Sequence, residues 1–251
     1  MQKLAGKVAL VTGSSRRIGA VTVRLLHQHG ATVIVHYRSS ATEAIKLCEE
    51  LNAIRADSCF LQQAELSDVP ALKKMVDAVI TQTGRLDILI NNASSFFPTP
   101  LGTITEEHWD NLMGSNLKAP LFLSQAAAPH LIKNKGCIVN MVDIHSVRPL
   151  VNHPVYCSAK AGLAMLTQSL AKELGPDVRV NGVSPGAILW PETDGDSPEV
   201  DAEHQSLLDK TALKREGTPD DIAKTILFLV SDANYITGHI IPVDGGRLLN
   251  Q

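Results

Sequence analysis

The chain has 251 residues, of which 44% are hydrophobic, 20% charged and only 4% aromatic. That length suits one α/β domain with a sizeable core, held without disulfides or metals. A formal net charge of −3 disfavours a protein that works mainly by gripping nucleic-acid phosphates. No run reaches the ~18 apolar residues that a membrane helix needs.

Residues 1–7 hold no apolar signal core, so the cytoplasm is the expected location. Val8-Ala9-Leu10-Val11 reads as a buried strand. Ile18, Val21 and Leu25 then recur at helical spacing, and Gly30 is a natural stop. Val33-Ile34-Val35 is the next strand, and Ala44, Leu47, Cys48 and Leu51 mark a second helix. Cys59-Phe60-Leu61 is a short third strand. Ser67 or Asp68 caps a helix carrying Leu72, Val76 and Val79, which ends near Gly84. Strands are expected at 86–90, 138–141, 178–181 and 239–243. One long helix is expected from 106 towards 132, one along Ala159, Leu163, Leu166 and Leu170, and one at 219–230. This alternation, with near-continuous apolar strands, predicts one α/β domain with a parallel sheet covered on both faces by right-handed crossovers. The irregular stretch 186–200 is either a substrate lid or an ordinary surface loop, and its place after a strand's C-terminal end favours the lid.

The four cysteines contain no C-x-x-C and read mostly as small buried hydrophobes. The nine histidines form no H-x-x-x-H pair, so no metal site is expected.

Thr12-Gly13-Ser14-Ser15-Arg16-Arg17-Ile18-Gly19 lies between the first strand and the first helix. Glycines there let backbone approach a pyrophosphate, and the helix N-terminus offers free N–H groups to it. The spacing is not G-x-G-x-x-G, and a plain tight turn would look similar, but the position favours a dinucleotide. A NAD site usually carries an acid at the end of the second strand. Here His36-Tyr37-Arg38-Ser39-Ser40 has none, and Arg17 and Arg38 bring positive charge suited to a 2′-phosphate. The expected cofactor is NADPH.

Tyr156 and Lys160 stand four apart at the start of a helix, so they share a face. A phenol with a pKa of about 10 is a poor acid–base group. A neighbouring ammonium is expected to lower that value.

Taken with Asn91-Asn92-Ala93, Asn116 and Pro185-Gly186, these motifs resemble the short-chain dehydrogenase/reductase family over essentially the whole chain. The resemblance implies a Rossmann-type doubly wound sheet. It implies Tyr156 as proton donor, Lys160 as holder of the nicotinamide ribose, and Asn116 as support for a relay water. The implied cofactor site takes Gly13, Ser15, Arg17, Ile18 and Gly19 from the first loop. His36, Tyr37, Arg38 and Ser39 follow the second strand, with either Arg38 or Ser39 on the phosphate. Glu65 and Leu66 lie near the adenine, and Asn92, Ala93, Tyr156, Lys160, Pro185 and Gly186 near the nicotinamide. It also implies a homotetramer.

Three departures narrow the resemblance. Thirteen residues before the tyrosine, where the family usually has serine, stands Asp143. Arg17 replaces a loop glycine, and Ser94 replaces the glycine of N-N-A-G. With Asn92-Ala93-Ser94-Ser95-Phe96-Phe97-Pro98-Thr99-Pro100-Leu101, the chain resembles the pteridine reductases and the related dihydromonapterin/dihydrofolate reductases. A flat pterin suits stacking on Phe96. Ser94 and Arg17 suit its polar edge, and Asp143 with Tyr156 suits proton delivery to a C=N nitrogen. Phe97, Leu189 and Trp190 are expected to border it. The alternative is a ketone reductase, such as a 3-oxoacyl reductase, which would keep Tyr156 and Lys160 but prefer serine at 143. A non-catalytic cofactor sensor is a third class, disfavoured by the intact Asn116, Tyr156 and Lys160.

Overall fold

The computed structural model describes residues 2–188, 205 and 208–249. Seven strands form one sheet: β1 Val8–Val11, β2 Thr32–Tyr37, β3 Cys59–Gln63, β4 Ile88–Asn91, β5 Cys137–Met141, β6 Arg179–Pro185 and β7 Ile240–Val243. Every neighbour pair is parallel, and the order is β3-β2-β1-β4-β5-β6-β7. The order reverses between β1 and β4. Ligands of such sheets bind in the crevice beyond the strand ends at that point.

Strand side chains alternate between two cores. Ala9, Val11, Val33 and Val35 face α1 Arg17–Gln28, α2 Ala41–Ile54 and α7 Pro219–Ser231. Val8, Leu10, Ile34 and Leu89 face α3 Val69–Thr83, α5 Ala119–Asn134 and α6 Pro154–Leu174. Both faces are covered, which is why the strands read as continuous apolar runs. The fold is a single-domain, Rossmann-type α/β sheet. No helix among the described residues is long and apolar enough to cross a membrane.

Three local features differ from the sequence reading. The buried stripe of α1 is Gly19, Ala20, Val23 and Leu26, while Ile18, Val21 and Leu25 are half-buried. A Cβ at Gly19 would lie 2.6 Å from the Gly13 carbonyl, so the start of the helix packs against the loop after β1 and the buried stripe continues from there along Ala20, Val23 and Leu26. The helix expected from 106 towards 132 is α4 Glu106–Met113, a π turn at Gly114–Lys118 and α5. There the Ala119 N–H reaches back to the Gly114 carbonyl, five residues away. Such π turns mark functional sites in many helices, and this one carries Asn116. β6 runs to Pro185 rather than stopping at 181. A Cβ at Gly182 would meet Ile240 and Val142 at 3.0 Å, so the glycine that broke the apolar pattern admits one side chain from β7 and one from the residue that follows β5. Leu189, Trp190 and the rest of the expected lid at 186–200 beyond Ile188 lie outside the described residues.

Candidate active site

A cleft of about 1350 Å³ opens at the C-terminal ends of the strands. It has a phosphate end, built around the loop after β1, and a reactive end, built around Asp143 and Tyr156.

At the first end the β1–α1 loop is clamped from three sides. The His36 Nδ1 accepts from the Gly13 N–H at 2.9 Å, and its Nε2 donates to the Ala64 carbonyl at 3.2 Å. The Asn92 amide donates to the Thr12 and Gly13 carbonyls at 2.8 and 3.0 Å. The Thr12 hydroxyl accepts from the Asn92 and Ala93 N–H groups. His36 is 2% exposed, and burial pushes its imidazole down to about 4. Both ring nitrogens are occupied by the protein, so His36 fixes the loop and offers the cofactor no ring atom.

The cradle has no room for a side chain. A Cβ at Gly19 would lie 2.6 Å from the Gly13 carbonyl, and one at Gly13 would lie 2.9 Å from the Ala93 Cα. Gly13 also has φ 58, and Arg17 has φ 53. The left-handed region is natural for glycine and uncommon for arginine. Arg16 precedes α1 without a side-chain cap, and the first turn holds no acid. The N–H groups of Arg17, Ile18 and Gly19, at the helix start, therefore have no intrahelical partners, and all three residues line the cleft. This geometry fits a dinucleotide pyrophosphate.

Beyond β2, Arg38 and Ser39 are exposed at the cleft wall. The Arg38 guanidinium lies 3.8 Å from the Glu65 carboxylate. Glu65 also accepts from the Ser67 N–H at 3.1 Å, and that bond holds its carboxyl below its ordinary range. The second cation of this corner is Arg16, which the sequence reading passed over. Its guanidinium donates to Ser40 Oγ at 2.9 Å and pairs with Glu43 at 3.4 Å. The adjacent Arg-Arg pair was the available signal: a turn sends consecutive side chains different ways.

At the reactive end α6 begins at Pro154, whose place in the first turn favours helix initiation. It delivers Tyr156 and Lys160 on one face beside the end of β5. The Tyr156 hydroxyl donates to the Asp143 carboxylate at 2.8 Å. The other Asp143 oxygen accepts from the His145 N–H at 2.8 Å, capping a short 3₁₀ turn. Asp143 is thus pinned at one oxygen and turned to the phenol by the other. Lys160 is 2% exposed; its Nζ donates to the Met141 carbonyl at 2.8 Å and lies 5.6 Å from the Tyr156 ring centroid. Burial lowers its ammonium to about 8.

The expectation that Lys160 lowers the Tyr156 pKa is overturned. The phenol is raised well above its ordinary value, first by burial, then by the negative charge of Asp143, with Ser94 opposing. The ammonium lies over the ring and is committed to a backbone carbonyl, whereas the carboxylate touches the hydroxyl itself.

Asn116 is fully buried. Its side chain donates to the Leu112 and Ser95 carbonyls at 3.0 and 2.9 Å and accepts from the Ser94 hydroxyl at 2.8 Å. It fixes the loop after β4, at Ser94 and Ser95, against the π turn. Phe96 is 54% exposed at the cleft wall. Its ring stacks on His153 at 4.7 Å and meets Tyr156 edge-on at 4.8 Å. His153 is a site residue the sequence reading missed; nothing in a separation of fifty-seven positions pairs it with Phe96. Phe97, expected at the same wall, instead packs with Leu112, Val155 and Tyr156 behind the site. Ser15, Tyr37, Leu66, Pro185 and Gly186 all line the cleft. Leu189 and Trp190 lie outside the described residues.

The family model described as enoyl-(acyl carrier protein) reductase matches residues 13–247. The chain belongs to the short-chain dehydrogenase/reductase family. Its relatives include an uncharacterized oxidoreductase of Methylorubrum extorquens, 36% identical across 98% of this chain and 99% of that one. Pteridine reductase 1 of Leishmania tarentolae is 36% identical, covering 97% of each chain. A 3-oxoacyl-(acyl-carrier-protein) reductase FabG of Staphylococcus aureus is 37% identical over 97% of this chain and 98% of its own. The chain is an oxidoreductase of this family, whose reductases use nicotinamide cofactors.

Proposed function

We propose that the protein is an NADPH-dependent pteridine reductase, which reduces dihydropterins, or dihydrofolate, to their tetrahydro forms. The observation that carries this reading is the 2.8 Å hydrogen bond from the Tyr156 hydroxyl to the Asp143 carboxylate. A ketone reductase needs a donor to a developing oxyanion, a task for serine at 143. Reduction of C=N needs a proton at nitrogen as well as hydride at carbon. A phenol whose pKa is raised keeps its proton, and Asp143 beside it takes part in passing that proton on.

When bound, NADPH supplies the hydride. The uncapped start of α1 and the cradle at Gly13 and Gly19 would hold its pyrophosphate. Arg38, with Arg16 and Ser39 beside it, would meet the 2′-phosphate. Lys160 would orient the nicotinamide ribose, and Asn92 with Ala93 would keep the adjoining wall in register. On the substrate side, Phe96 presents its ring to a flat heterocycle. Ser94, whose hydroxyl proton is held by Asn116, presents an acceptor to its polar edge, and Arg17 presents donors. Leu189 and Trp190, outside the described residues, belong to the same proposal as residues bordering the pterin. Exposed Trp109, Leu121 and Met165 on α4, α5 and α6 supply apolar surface for the proposed homotetramer, which light scattering would test. A cytoplasmic location belongs to the same reading.

The test is NADPH oxidation with dihydrobiopterin, dihydromonapterin and dihydrofolate, beside a panel of ketones that includes a 3-oxoacyl thioester. Turnover of a dihydropterin well above the ketones is expected. Turnover of ketones alone overturns the pterin assignment and leaves the 3-oxoacyl reading, which the likeness to FabG supports.

A further inference from the structure

One cation in the cleft has no part in the chemistry described so far. Arg247 follows β7 in a short 3₁₀ turn and lines the same cleft as Asp143 and His145. It is half-buried. The Arg148 guanidinium donates to the Arg247 carbonyl at 2.9 Å, which fixes the backbone of this turn to the loop after Asp143. Two carboxylates stand near, and both are engaged elsewhere. Asp143 accepts from the His145 N–H and the Tyr156 hydroxyl. Asp244 accepts from the Gly246 and Leu248 N–H groups at 2.9 and 2.8 Å. Among the described residues no carboxylate is hydrogen-bonded to the Arg247 guanidinium. Burial and the charge of Arg148 push its pKa down, with Asp143 and Asp244 opposing. A half-buried guanidinium beside a second one, facing a cleft, is a receptor for an anion: its fork matches a carboxylate.

We propose that Arg247 is a specificity residue that receives a carboxylate carried on the substrate's side chain. The site then prefers a folate-type dihydropterin, with a glutamate tail, over one with an uncharged side chain. This deepens the pterin reading and rests on it. The reacting ring lies at Asp143 and Tyr156, so a substituent on that ring extends along the wall towards Arg247. The carboxylate replaces water on the guanidinium and relieves the repulsion from Arg148.

The experiment measures kcat/KM for dihydrofolate and for dihydrobiopterin in the wild type, Arg247→Gln and Arg247→Lys, at low and high salt. The dihydrofolate-to-dihydrobiopterin ratio is expected to fall about ten-fold in Arg247→Gln, through KM. Arg247→Lys restores part of it, and the wild-type ratio falls as salt screens the pair. A ratio that is the same in all three proteins overturns the proposal while leaving the pterin reading intact. If neither dihydropterin turns over, the pterin reading fails. The anion site is then read from a 3-oxo acid and its ethyl ester. An acid preference lost in Arg247→Gln upholds the site, and equal ratios overturn it.

Discussion

The two ends of the cleft are built on opposite plans. At the phosphate end, side chains are spent on the protein itself. His36 holds the Gly13 N–H, Asn92 holds two carbonyls, and Thr12 holds two N–H groups, so a pyrophosphate there would be met by backbone, with the side chains of Arg38 and Arg16 only at the margin. At the reactive end, backbone holds the side chains. His145 N–H pins Asp143, the Met141 carbonyl pins Lys160, and the Leu112 and Ser95 carbonyls pin Asn116. One end is a fixed mould for an invariant ligand. The other presents side chains that a substitution can exchange without disturbing the mould.

The contrast breaks first at Tyr156. Tyr156→Phe removes the hydroxyl that donates to the Asp143 carboxylate, and turnover is expected to fall on the order of 10³-fold. NADPH affinity, measured by fluorescence titration, should change by less than about two-fold, since the pyrophosphate and 2′-phosphate contacts lie elsewhere. A large loss of NADPH affinity would mean that the two ends are not separable. Asp143→Ser is the sharper test of chemistry. Dihydropterin turnover should fall about 10²-fold while ketone turnover holds or rises. Equal loss on both substrate classes would show that Asp143 serves the fold through its His145 cap instead.

The phosphate end is expected to fail with acid. The imidazole of His36 is depressed from 6.5 to about 4. Above 6.5 it is neutral in the folded and unfolded states alike. Below 6.5 the unfolded chain binds a proton that the folded chain refuses until about 4. Stability therefore falls as pH falls, by roughly 2 kcal/mol between 6.5 and 4.5. Urea unfolding across that window measures it. His36→Asn, which keeps an acceptor for Gly13, should flatten the slope. An unchanged slope would place the acid sensitivity elsewhere.

How far the sequence could be read divides along the same line. β1, α2 and the Asp68-capped α3 were legible because periodicity and capping are local. Asp143 was legible because its distance from Tyr156 is a chain distance. His153 against Phe96, and Arg247 in the cleft, depend on where loops after different strands converge. No local pattern encodes that. Arg16 and Arg17 show the limit most clearly. The sequence places both in the phosphate loop, yet only the backbone conformation decides which guanidinium reaches Ser40.

That conformation also sets the smallest effect expected. Arg17 sits at φ 53, where a β-carbon is crowded and glycine is not. Such a residue costs on the order of 1 kcal/mol and persists where the rest of the site over-determines it. Arg17→Gly should therefore raise thermal stability by roughly 2–4 °C. The glycine's extra freedom in the unfolded chain offsets part of that gain. The same change removes a cation that faces the cleft, so KM for a dihydropterin should rise several-fold while Tm climbs. The two readouts move against each other only if the strained backbone is retained for its side chain. If Tm rises and KM is unmoved, Arg17 belongs to the mould and not to the exchangeable side chains, and the boundary between the two ends shifts past α1.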